Sequence, residues 1–347
     1  MEKAILLSAI LLTATTLLGQ SNYSDTSFYS PALDKEKMAR IYLPPGYNEN
    51  HELHYPVIYF LHGWGGNHTS SGVLAIIDSL IRNGKINPVI VVIADNSCEP
   101  FKGSQYVNSI LWGNYEDFMT IDLIAWMDSS FRTIPERNGR ALMGQSMGAY
   151  GSFRYGILHK DKYRALAAHA GPVDFFDSIF METIYTNVLK ENQPGPPYFY
   201  DYENAGIWTQ ITFVGWGAWA PNFNSPQKYI NPPIVEFPID ESGFLIDTIM
   251  PKARKNNISD LIQQLTPADS VGILYGCGIR DFAMYYPMNV NFKSTLEKLG
   301  LPYEFYDHEG GHGMPVGFME RGLIFLDSMM ALPQKHINKA IIPKRNN

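Results

Sequence analysis

Ser146, Asp281 and His312 are of the three residue types that together activate a hydroxyl for attack on a carbonyl. Ser146 stands in Gly144-Gln145-Ser146-Met147-Gly148, a Gly-x-Ser-x-Gly pentapeptide between a strand-like run and a helix-like run. A serine hydroxyl is a poor nucleophile until a base takes its proton, and a sharp strand-to-helix turn lifts it to where base and substrate can reach it. The pentapeptide is short enough to arise by chance, so its context must carry the argument. A histidine base needs an acid that fixes its tautomer and steadies its positive charge, and Ser, then Asp, then His is one of the chain orders that supplies both. Asp281 follows Gly276-Cys277-Gly278-Ile279-Arg280, and His312 lies in Glu309-Gly310-Gly311-His312-Gly313. Asp174, Asp240 and Asp307 are rival acids, and Asp281 has the alternative role of capping the helix after it.

Attack on an ester builds charge on the carbonyl oxygen, and donors aimed at that oxyanion are usually the largest catalytic term. The backbone amides of Met147, next to the nucleophile, and of Trp64, in His62-Gly63-Trp64-Gly65-Gly66, are the candidate donors. His62 reads as an organiser of that turn, and His159 and His169 as structural residues. His51-Glu52-Leu53-His54 lacks the spacing that sets two imidazoles and a glutamate on one helical face, so no catalytic metal and no cofactor are expected.

These residues need elements to hold them. Residues 56–61, 88–94, 140–143, 165–170, 271–275 and 303–306 are short, continuous apolar runs of the kind that form buried parallel strands. Between them, 70–83, 116–131, 147–159, 287–299 and 318–332 have the length and amphipathic pattern of helices. Alternation of this kind predicts βαβ units in a mainly parallel sheet flanked by helices, with an antiparallel pair from 28–45 at its leading edge. Ser146, Asp281 and His312 then each follow the C-terminal end of a strand, where open α/β sheets place their crevice. The alternation breaks between the strands near 165–170 and 271–275, which predicts an inserted cap or side lobe over 172–269. This insertion holds Trp208, Trp216 and Trp219, whose rings either stack on a sugar or aromatic group or bind the insertion to the core. Trp216 and Trp219 are candidate substrate contacts, as is Tyr106.

Composition sets the bounds. The 347-residue chain has 45% hydrophobic and 18% charged residues and a formal net charge of −7, a globular balance without the basic excess that nucleic-acid binding demands. Met1-Glu2-Lys3, an apolar run from Ala4 to Leu18 and then Gly19-Gln20-Ser21 read as a secretory signal peptide over 1–19, with no membrane association after cleavage. The expected organisation is that signal, a catalytic domain over 24–332 and a solvated tail over 333–347. An exported chain could pair its two cysteines, Cys98 and Cys277, but the reading favoured for each is a small residue buried near a strand end.

The chain resembles the esterase family of α/β-hydrolases that contains feruloyl and acetyl-xylan esterases, S-formylglutathione hydrolases and mycolyltransferases. The matching residues are Leu61-His62-Gly63-Trp64-Gly65-Gly66, Tyr106-Val107-Asn108-Ser109, Tyr115-Glu116-Asp117-Phe118, the pentapeptide, Gly278 to Phe282 and Gly310-Gly311-His312, spread over 35–175 and 270–330. The resemblance implies the α/β-hydrolase fold and ester hydrolysis through a serine acyl-enzyme: Ser146 attacks, His312 shuttles the proton, Asp281 orients it, and the Trp64 and Met147 amides hold the oxyanion. The family often has a second glycine where this chain has Ala149, and the aromatic insertion matches no motif. Together these readings predict an exported serine carboxylesterase acting on an acetyl or hydroxycinnamoyl ester of a small molecule or polysaccharide. An acyltransferase to a sugar acceptor on the same triad and a non-catalytic carbohydrate-binding protein are the rival functions.

Overall fold

The structure, a computed structural model, describes residues 22–70 and 72–335. The expected signal segment 1–19 and the end of the expected tail lie outside them. Eight strands form the central sheet: β1 (Asn22–Ser30), β2 (Lys35–Leu43), β3 (Val57–Leu61), β4 (Ile90–Ala94), β5 (Arg140–Gln145), β6 (Ala165–His169), β7 (Gly272–Gly278) and β8 (Glu304–His308). Their spatial order is β1-β2-β4-β3-β5-β6-β7-β8. The first two pair antiparallel, and β2 meets β4 antiparallel; every later neighbour is parallel.

The apolar runs are strands because both their faces are covered. Every residue of β3, β4, β6 and β7 is buried, and each fully buried Val, Leu or Ile contributes about 1.5–3 kcal/mol relative to exposure. The helices are α1 (Val73–Arg82), α2 (Leu123–Ser130), α3 (Met147–Leu158), α4 (Ser178–Glu191), α5 (Ile207–Trp219), α6 (Met250–Arg254), α7 (Tyr285–Lys298) and α8 (Val316–Met329), of which α3, α7 and α8 pack on the sheet strands. Helix α2 continues a helical stretch that begins at Tyr115 and includes a π-turn over Phe118–Asp122. The sequence-derived strands and helices thus recur within a few residues of their expected ends.

The insertion is a helical lobe. It contributes α4, α5 and α6, and Tyr200–Asp201 pairs parallel with Ile230–Asn231. Asp177 starts α4 by accepting the Ile179 and Phe180 N–H groups at 3.1 Å, satisfying two donors the helix cannot. Ring packing joins the lobe to the sheet domain: Phe213 lies 5.7 Å from Phe101, on the loop after β4, and 4.7 Å from Phe237 within the lobe. At the start of the expected solvated tail the side chains of Gln334 and Lys335 are exposed. Gln334 and Lys335 pair antiparallel with His54 and Leu53, because backbone groups there find partners on a neighbouring segment.

Candidate active site

The turn between β5 and α3 is built by exclusion. A Cβ on Gly144 would lie 2.2 Å from the Gly148 carbonyl oxygen, and one on Gly148 would lie 1.9 Å from that of Leu61, so only glycine fits at either place. Between them Ser146 takes φ 56° and ψ −119°, a conformation a serine rarely holds unless its surroundings impose it. The Ser146 N–H donates to the His169 carbonyl at 2.9 Å, which ties the turn to the end of β6. The serine faces a cleft of about 1140 Å³ whose wall also includes Trp64, Met147 and His312.

Asp281 lies three residues beyond β7, its side chain fully buried. Its Oδ2 lies 2.8 Å from His312 Nδ1, while Oδ1 accepts the Ala283 N–H at 2.8 Å. The carboxylate therefore holds the imidazole with its proton on Nδ1 and leaves Nε2 free to act as a base. Among the described residues no hydrogen bond joins Ser146 to His312; the two face one cleft. The rival acids are occupied elsewhere. Asp174 accepts from Asn257 and the Phe176 N–H, Asp240 from the Ser242 and Phe244 N–H groups, and Asp307 from the Tyr286 hydroxyl.

On the opposite wall, the loop after β3 comes against Ser146: a Cβ on Gly63 would lie 3.7 Å from that of the serine. Met147 is the first residue of α3, where the helix leaves its N–H groups without partners of its own. Gly65 N–H bonds Lys102 and Gly66 N–H bonds Gly63, while the Trp64 indole donates to the Phe101 carbonyl at 2.6 Å and fixes the loop. His62 is buried, accepts the Asn96 N–H on Nε2 and hydrogen-bonds the Gly63 carbonyl through Nδ1, so it organises the turn. Burial lowers its pKa, which keeps it neutral.

The structure separates the expected substrate contacts. Tyr106 is fully buried, and its hydroxyl donates to the His62 carbonyl at 2.9 Å, so it supports the loop from beneath. Its ring direction follows from a left-handed backbone, φ 55°, that residue type alone does not announce. Trp216 and Trp219 line a second, apolar chamber, not the cleft of Ser146. Helix phase explains this. Ile207, Ile211 and Val214 form the stripe of α5 that faces the cleft, whereas Thr212, Gly215, Trp216 and Trp219 form the adjacent stripe facing the chamber. The two spaces share Gln105, Pro172, Ile211 and Tyr285 as walls, so they adjoin.

Three supports escaped the sequence. The buried thiol of Cys277 donates to Asp281 Oδ2 at 3.4 Å, and the Gln145 side-chain amide donates to the His312 carbonyl at 2.9 Å. Burial raises the Cys277 pKa far above the ordinary thiol range, keeping it protonated as a donor. The rings of Phe282 and Tyr285 flank His312 at 5.1 and 5.6 Å. Spacing marks Gln145 as the neighbour of the nucleophile but cannot show its reach. Cys98 and Cys277 are free thiols, with no disulfide between them. Among the described residues no group of three or more His, Cys, Asp or Glu side chains is placed to hold a metal ion, and no helix is long and apolar enough to cross a membrane.

Comparison with known proteins points to one group. A family model described as Putative esterase matches residues 30–231. An endo-1,4-beta-xylanase/feruloyl esterase of Xylanibacter ruminicola is 35% identical over 138 residues, covering 38% of this chain and 19% of that protein. An esterase of Mycobacterium tuberculosis is 29% identical over 147 residues, covering 42% of this chain and 31% of that protein. The matched segments thus span less than a third of these relatives. A solved ferulic acid esterase superposes with a TM-score of 0.62 at 20% identity, covering 90% of this chain and all of that one (100%). An S-formylglutathione hydrolase from Agrobacterium tumefaciens gives 0.60 at 15% identity, covering 91% and 98%. These likenesses show that the fold is that of the α/β-hydrolases.

Proposed function

The chain belongs to the Putative esterase family, and from that premise we propose that it is a serine carboxylesterase working through Ser146, His312 and Asp281. Ester binding brings Ser146 Oγ and His312 Nε2 into hydrogen-bond contact, since such contacts often close only around substrate. His312 takes the hydroxyl proton as Oγ attacks the carbonyl carbon, and the Trp64 and Met147 amides receive the developing oxyanion. Collapse expels the alcohol, to which His312 returns the proton, and leaves an acyl-Ser146 ester. Water, deprotonated by His312, then attacks that ester, and as the acyl–Oγ bond breaks His312 returns the proton to Ser146 Oγ and the acid is released. Asp281 stays ionised throughout and steadies the imidazolium. The single observation that carries this reading is the 2.8 Å contact of Asp281 with His312 in a base whose cleft also holds Ser146.

The proposed substrate is an acetyl or hydroxycinnamoyl ester of a carbohydrate, met outside the cytoplasm after export. Support comes from the relative named xylanase/feruloyl esterase and from the apolar chamber beside the cleft, which offers an aromatic acyl group somewhere to go. A panel of p-nitrophenyl acyl esters, methyl ferulate and acetylated xylan, run on wild type and Ser146→Ala, tests the reading. Wild type should turn over at least one ester and the variant should lose about 10⁴-fold or more in kcat; undiminished turnover of every ester by the variant would rule the mechanism out.

A further inference from the structure

Two histidines that play no part in that mechanism stand between the nucleophile turn and the loop that presents its base. His169, at the end of β6, is wholly buried, and its carbonyl accepts the Ser146 N–H. Its ring lies against that of His308, at the end of β8: the Nε2 atoms are 2.9 Å apart, and the rings stack at 5.2 Å. His308 Nδ1 accepts the Gly310 N–H at 3.0 Å.

This pattern fixes every proton. Because His308 Nδ1 accepts from a backbone amide it carries no hydrogen, so the proton of His308 is on Nε2 and donates to His169 Nε2. His169 therefore bears its own proton on Nδ1, which is buried and has no partner among the described residues. Adding a proton to His308 would break the bond to Gly310, and adding one to His169 would set two N–H groups against each other. Only the neutral pair fits. A leucine or phenylalanine at 169 would fill this core without a stranded N–H, so packing alone does not account for an imidazole there.

The loop it grips is the one that holds His312. Gly310 donates to His308 through its N–H and accepts the Arg280 N–H on its carbonyl at 3.0 Å; two residues on, the His312 carbonyl accepts from Gln145. A Cβ on Gly310 would lie 2.7 Å from His308 Nδ1, so glycine is required for the ring to come this close.

We propose that His308, braced by His169, is a positioning residue that sets the 309–312 loop and thereby aims His312 at Ser146. The proposal rests on the serine-esterase reading. Base and nucleophile must meet within a few tenths of an ångström, and a misplacement of about 1 Å costs roughly 100-fold in rate.

Steady-state kinetics of the full chain on p-nitrophenyl acetate, with folding checked by circular dichroism, tests it with four variants. His308→Phe removes both bonds and should lower kcat about 10- to 100-fold with KM within about twofold. His308→Asn places an amide oxygen where Nδ1 was, keeps the Gly310 bond and should recover kcat to within about threefold of wild type. His308→Gln reaches toward His169 but leaves Gly310 without its acceptor, and should stay as low as the phenylalanine variant. Gly310→Ala, which displaces the ring from the other side, should match that loss. Wild-type kcat in His308→Phe, an asparagine variant no better than phenylalanine, or a loss carried entirely by KM would overturn the proposal. Ser146→Ala, run alongside, separates the two readings: activity surviving there overturns the esterase mechanism itself, whereas an inactive Ser146→Ala beside unimpaired His308 variants overturns only the positioning role.

Discussion

On the sheet side of the cleft each residue of the proposed triad and oxyanion site hangs just beyond a strand end: Trp64 after β3, Ser146 after β5, Asp281 after β7 and His312 after β8. Their supports are backbone groups and buried side chains with defined partners, such as the His169 carbonyl, the Ala283 amide and the Cys277 thiol. The insertion side differs. There the wall is the apolar side chains of Ile207, Ile211 and Val214 on one helix, which the Phe101–Phe213 ring contact at 5.7 Å and a hydrogen bond from the Ser109 hydroxyl to the Gly217 carbonyl hold to the sheet domain. Directional bonds fix positions closely, while dispersion contacts tolerate repacking. On the proposed esterase reading, a cleft divided this way keeps the reaction constant on one wall while the other wall is free to change which acyl group fits.

That division predicts different kinds of loss. Asp281→Asn should lower kcat about 10³- to 10⁴-fold, because an amide facing Nδ1 favours the wrong tautomer of His312. Since the defect lies in the chemistry, the factor should be nearly the same for acetyl, butyryl and feruloyl esters; kcat ratios measured across such a panel check it. A loss that varied tenfold or more with the acyl group would mean the sheet wall also selects substrate.

Trp216→Ala opens the chamber beside the cleft without touching Ser146 or His312. Its effect should be smaller and selective: about 10-fold in kcat/KM for an aromatic acyl ester, with the acetyl ester changed by less than about twofold. Equal losses on both esters would show that the tryptophan merely holds the lobe together. The comparison would then fail at its insertion half.

The two walls also differ in how far the sequence discloses them. Strand ends are marked by continuous apolar runs, so Ser146, Asp281, His312 and the loop of Trp64 could be placed before any coordinates. What sequence could not give was direction across space. Gln145 reaches the His312 carbonyl, and His308 reaches His169, by paths set only when β5, β6, β7 and β8 lie side by side. In the insertion the rotation of α5 is set by partners distant in sequence, such as the Ser109 hydroxyl on the Gly217 carbonyl, so an aromatic at 216 or 219 reads the same whether it faces the cleft or the chamber. Tyr106 misled for a third reason. Its left-handed backbone turns the ring inward, and nothing in its neighbours requires that of a tyrosine.

Acid should separate the walls by the smallest of these effects. Burial, and then the charges His308 and His312 would carry, lower the His169 pKa to about 3, with Asp281 opposing. The unfolded chain, where histidine titrates near 6.5, binds this proton first as pH falls. Stability is therefore lost between about pH 6.5 and pH 3, by at most about 1.4 kcal/mol per pH unit for one proton. His169→Phe removes that term along with whatever packing the substitution disturbs. Its deficit relative to wild type, measured by urea unfolding, should shrink by about 2 kcal/mol between pH 7 and pH 5. Trp216→Ala carries no titrating group, and its deficit should stay the same at both values. A His169→Phe deficit equally flat with pH would mean that the neutral pair beneath the nucleophile is not what makes the sheet wall sensitive to acid.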